Sequence, residues 1–129
     1  MNRNPVLLTF MLLYGAASLA HFIHNAVYLG FYPNMPTWLT PLGVLAAWLV
    51  VAGIGVAGYW LFRLGAKVVG LATIGLYAVL GFAGLDHYVI APVSAHSWAM
   101  NATILTEVIA ASVLLLVIAW TAIRGHIGT

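Results

Sequence analysis

The sequence predicts an all-α integral membrane protein: one up-down four-helix bundle over residues 1–129, with both termini cytoplasmic. Three observations carry that prediction. Of 129 residues, 64% are hydrophobic and 5% charged, whereas soluble domains carry roughly a quarter charged residues. The mean hydropathy is +1.09. Four apolar stretches each reach the length of about 20 residues that a bilayer crossing needs. The links between them are too short for anything but antiparallel neighbours.

The first helix is expected over about residues 5–29 and the second over about 39–62, with FYPNMPTW between them. The third follows the RLGA link, over about 67–88. After the longer connection HYVIAPVSAHS, the fourth runs over about 97–123. Arg3, Arg63, Lys67 and Arg124 fall at the N-terminus, the second link and the C-terminus, and the first and third links carry no Lys or Arg. The positive-inside rule therefore puts both termini in the cytoplasm, and a bacterial-type inner membrane is the expected location. Tyr32, Trp38, Tyr59, Trp60, Tyr88, Trp98 and Trp120 lie near helix ends, as interfacial aromatics do. Ser18-Leu19-Ala20 has the small-residue form of a signal-peptidase site. A polar stripe running through it argues instead for a retained first helix. Glycines such as Gly53, Gly70, Gly81 and Gly84 suit close helix packing.

That stripe is the main chemical signal. Tyr14, Ser18, His21, Asn25 and Tyr28 recur at steps of three and four, which puts them on one helix face, and His24 lies about 60° to the side. On the fourth helix, His96, Met100, Thr103 and Glu107 repeat the pattern. Glu107 is one of only two acidic residues, and an ionised carboxylate in an apolar span costs several kcal/mol unless it is protonated, paired or cation-bound. His21 and Glu107 each sit about ten residues from the outer ends of their helices, roughly 15 Å deep. They are expected to face each other, with Asn25 and His24 near Thr103, and Tyr28 near Met100. Tyr77 extends the polar surface from the third helix. Asp86, His87 and His96 form an entrance at the outer surface, where hydrated loop residues are the simplest expectation. His126 is read as a solvated tail residue.

His-x-x-His with a facing carboxylate is ligand chemistry for a divalent transition metal such as Zn, Fe, Cu or Mn. His21, His24 and Glu107 are the expected ligands, and Tyr14, Ser18, Asn25, Tyr28, Tyr77, Met100 and Thr103 line the cavity around them. The alternatives are a purely structural His–Glu hydrogen bond and a proton-exchanging pair without metal. A b-type haem is disfavoured because the candidate axial histidines differ in depth by several residues. With no cysteine, thiolate metal sites, Cys nucleophiles and covalent haem are excluded. The His spacing is not that of a zincin, no nucleophile elbow surrounds Ser94 or Ser97, and no basic patch suits nucleic acid. The expected function is transition-metal transport, or redox or hydrolytic chemistry on a lipid-soluble substrate. The competing expectations are a non-catalytic subunit of a larger membrane complex and a proton-coupled carrier. The lipid bilayer is the expected surrounding, and self-assembly into a homo-oligomer suits so small a chain.

Overall fold

The computed structural model describes residues 3–127; the side chain of His126 lies outside that description. Helix α1 spans Pro5–Val27. A short 3₁₀ turn at Leu29–Phe31 leads to α2, Pro41–Arg63, and then α3, Lys67–Val79. The chain continues through a 3₁₀ segment, Leu80–Leu85, into α4, Asp86–Ile90, and after a further turn into α5, Trp98–Ile127. Among the described residues there is no strand, and four segments (α1, α2, α3 through α4, and α5) are long and apolar enough to cross a membrane.

Local chemistry sets the starts. Asn4 caps α1 by accepting from Leu7 N, and Thr40 caps α2 by accepting from Gly43 N, each followed by a proline in the first turn. Proline suits that position because its missing N–H has no partner to lose there. Ser97 Oγ accepts from Met100 N at 3.2 Å and opens α5. Gly65 turns α2 into α3 at φ 99°, a backbone region that side chains with a Cβ resist.

Each long helix touches the next in a closed ring: α1 with α2, α2 with α3, α3 with α5, and α5 with α1. Along α2 and α3 the touching pairs Gly55–Tyr77, Gly58–Ile74 and Phe62–Gly70 run in opposite directions. Asn4–Thr121 and His21–Thr103 show the same antiparallel sense for α1 and α5. A Cβ at Gly70 would stand 2.5 Å from Phe62 N, so glycine permits this close approach. The outer surface is apolar: Leu12, Val56, Val68 and Leu116 are all at least 65% exposed, as lipid-facing positions are.

The core divides by polarity. On α1 the buried row is Leu7, Met11, Tyr14, Ser18, His21 and Asn25, apolar at one end and polar at the other. On α5 it is Met100, Ile104, Glu107, Ala111 and Leu114, so a single carboxylate interrupts an apolar stripe. On the third segment the buried row runs Ala78, Gly81, Gly84, His87, in steps of three. A 3₁₀ helix advances about 120° per residue rather than 100°, so six residues add roughly 120° of extra rotation. That overwinding turns His87 inward, where an uninterrupted helix would have continued the face to Tyr88.

Candidate functional site

His21 and Glu107 form a buried pair. Nε2 of His21 stands 3.8 Å from Oε2 of Glu107, and the two side chains are 4% and 2% exposed. Gly84 makes the room: a Cβ there would lie 3.3 Å from Glu107 Oε2 and 3.9 Å from His21 Nε2. Below the pair, Tyr14 and Ser18 are fully buried. Ser18 adjoins both Tyr14 and Glu107, yet Tyr14 OH, Ser18 Oγ and Glu107 Oε2 complete no hydrogen bond among the described residues. Tyr77 stacks edge-on against Tyr14, with ring centroids 4.6 Å apart.

Hydrogen counting assigns a tautomer to His21. Thr103 has one hydroxyl proton and donates it to Met100 O at 3.0 Å. Its oxygen then accepts from His21 Nδ1, 3.4 Å away, in the tautomer that carries the His21 proton on Nδ1. The His21 Nε2 lone pair then points toward Glu107 Oε2, a second acceptor. In that tautomer two acceptors stand 3.8 Å apart, beyond direct hydrogen-bond distance, and a proton, a water or a cation between them would offset their repulsion.

Two more imidazoles continue from the pair, His87 and His96. The His21 and His87 centroids are 5.4 Å apart, and those of His87 and His96 are 6.0 Å apart. Asn25 Nδ2 donates to His87 Nε2 at 3.1 Å, which assigns the His87 proton to Nδ1. His96 Nδ1 donates to Pro92 O at 3.0 Å, leaving its Nε2 as a lone pair. Among the described residues neither His87 Nδ1 nor His96 Nε2 has a hydrogen-bond partner, although both are buried. Tyr32 leans over this cluster, 4.9 Å from the His87 ring centroid, and its hydroxyl pairs with His24 Nδ1 at 2.9 Å. Burial holds the Tyr32 phenol above its ordinary pKa of 10.0.

The structure rearranges several sequence expectations. His24 does not join Glu107: it is half-buried, engages Tyr32, and packs on Tyr28 at a centroid distance of 4.6 Å. Tyr28 does not line the cavity. It is 46% exposed because α1 ends at Val27 and Tyr28 adopts a non-helical backbone. Asn25 meets His87 rather than Thr103, which pairs with His21. Met100 packs with Tyr32 and Ile104, and its sulfur accepts from Ser97 N. Asp86 is exposed in the first turn of α4, beside His87 in the chain, while His87 and His96 are buried rather than hydrated. Among the described residues no three His, Asp or Glu side chains converge in a metal-holding group.

Sequence reading missed Tyr32, Asn101 and the role of Gly84. Tyr32 looks like an interfacial aromatic until the turn at Leu29–Phe31 folds it back to 3% exposure. Asn101 accepts from Tyr88 OH at 2.8 Å and donates to Val93 O, tying the third link to α5. Gly84 shares a face with Tyr77 in the sequence pattern, and that was the available signal. The chain matches no protein-family model, no curated protein and no solved structure. Its chemistry has to be argued from these residues.

Proposed function

We propose that this chain is a small inner-membrane protein, both termini cytoplasmic, in which His21 and Glu107 bind and release one proton as a proton-coupled carrier. The observation that carries the reading is the acceptor-to-acceptor approach of His21 Nε2 and Glu107 Oε2 at 3.8 Å. The proton shared there comes off either as imidazolium or as carboxylic acid, and its loss leaves an uncompensated carboxylate at a depth where that state is costly. Tyr14, Ser18 and Tyr77 face the pair from below. His87 and His96 supply ionisable groups between it and the outer face, and His24 with Tyr32 borders them.

A pH-sensitive dye trapped in proteoliposomes tests this. Wild type should equilibrate an imposed pH gradient faster than empty liposomes, and Glu107→Gln and His21→Gln should fall to the empty-liposome rate. Gradient decay at that rate for wild type also rejects the carrier. The competing occupant would be a divalent transition metal (Zn, Fe, Cu or Mn), which His21 and Glu107 would hold. Elemental analysis of protein purified from native membranes decides between them, and one metal per chain, lost in Glu107→Gln, replaces the proton with the metal. Co-purification of a fixed partner at constant ratio would make the chain a subunit of a larger complex.

A further inference from the structure

The end of the bundle opposite the histidines carries a second feature. A cavity of about 880 Å³ opens where α1 and α3 begin and α5 ends. Its walls are apolar, from Phe62, Leu71, Ala72 and Ile118, and its rim holds Arg3 and Lys67. Both cations are exposed. Neither acidic residue of the chain, Asp86 or Glu107, lines it. The N-terminal ends of α1 and α3 and the C-terminal ends of α2 and α5 meet at this pole, so their partial charges oppose one another and the net positive charge is that of Arg3 and Lys67. No Asp or Glu stands among the described lining residues; Asn4 uses its oxygen on Leu7 N and its amide on Thr121, and α3 starts without a side-chain cap.

A ligand complementary to this cavity has a compact anionic group at one end and a long apolar body at the other. Its volume lies within the range of about 300–1,000 Å³ typical of small-molecule sites. Inorganic phosphate would satisfy the rim and leave the apolar walls uncovered. A neutral acyl chain would do the reverse. Basic pockets between spanning helices recognise anionic lipid head groups by this combination. We propose that the cavity binds one anionic glycerophospholipid, its phosphate at Arg3 and Lys67 and an acyl chain along Leu71, Gly75 and Ile118. The inference rests on the chain being membrane-embedded and is independent of what occupies the His21–Glu107 pair.

Gly75 provides a steric test separate from charge. A Cβ there meets nothing within 4 Å, and the residue lines the cavity. Gly75→Leu therefore fills the acyl path while keeping both cations and the helix contacts. Arg124 is the charge control: it lies at the same pole, stacks on Trp120 at 4.1 Å, and is not part of the cavity lining. The experiment is native mass spectrometry of the full chain released from nanodiscs of phosphatidylcholine mixed with phosphatidylglycerol. Wild type should retain one phosphatidylglycerol in preference to phosphatidylcholine. Arg3→Gln and Lys67→Gln should each weaken retention about fivefold, the worth of one cation near an anionic lipid. Gly75→Leu should abolish it, and Arg124→Gln should leave it unchanged. Equal retention of the two lipids overturns the proposal. So does an Arg124→Gln loss as large as that of Lys67→Gln, which would indicate diffuse surface attraction. Retention unaffected by Gly75→Leu, or displaced by inorganic phosphate at matched ionic strength, also overturns it by reducing the site to an anion contact.

Discussion

Replacing Glu107 by glutamine separates the structural from the protonic role of the buried pair. Glutamine keeps the shape of the side chain and presents an amide N–H₂ to His21 Nε2, which hydrogen counting assigns as an acceptor. The variant can therefore form a neutral hydrogen bond worth about 1 kcal/mol, so its stability should stay within about 1 kcal/mol of wild type. His21→Leu is the contrasting change. It fills the volume and strands the carboxyl of a Glu107 side chain that is only 2% exposed, and an orphaned buried polar group costs about 1–3 kcal/mol, more when charged. The two variants should thus differ by about 2 kcal/mol, the histidine substitution being the worse. Equilibrium unfolding in mixed micelles, followed by tryptophan fluorescence, measures both. If Glu107→Gln loses as much stability as His21→Leu, His21 Nε2 is a donor rather than an acceptor, and the proton assignment fails.

Other outcomes follow from particular contacts. Gly81→Ala would bring a Cβ within 2.7 Å of the Tyr14 ring and 2.8 Å of Ala111 Cβ. Overpacking of this kind should cost about 1–3 kcal/mol in the same unfolding assay, and a neutral result would show that α5 yields there. Asn25→Leu leaves His87 Nε2 without its donor and should destabilise by about 1–3 kcal/mol; adding His87→Phe should recover part of that loss. Because burial raises the Tyr32 pKa, the phenol favours its neutral form when folded. Its contribution is complete below about pH 10 and disappears as pH rises through the folded value. Melting temperatures should therefore fall more steeply above about pH 10 in wild type than in Tyr32→Phe, and parallel curves would refute a buried neutral phenol.

The four spans and the His21–Glu107 pairing were legible because both depend on regular features: span length, helical period and distance from a helix end. Depth matching works as long as the helices stay regular, and α1 and α5 do so between the relevant residues. The third segment does not. The 3₁₀ stretch at Leu80–Leu85 changes the helical phase, and apolar periodicity gives no warning, since Leu, Gly, Phe and Ala fit either form. His87 was therefore assigned to a hydrated entrance and not to Asn25. Tyr28 and Tyr32 exchanged roles for a related reason. Where α1 stops is decided by the turn that follows Val27 and by the contact of Tyr32 with His24, both tertiary in origin. The metal expectation came from residue type and spacing alone. His-x-x-His leaves His24 about 60° off the inward face, enough for Tyr32 to capture it.

The most direct test of the shared proton is pH-dependent infrared difference spectroscopy of the protein in lipid, across about pH 5 to 8, where imidazole–carboxyl pairs commonly titrate. The account predicts a carboxyl signal that changes with pH, shifts in D₂O, disappears in Glu107→Gln and is displaced by His21→Gln. A Glu107 carboxylate that stays unchanged across that range, with one divalent metal per chain in the same sample, would contradict it.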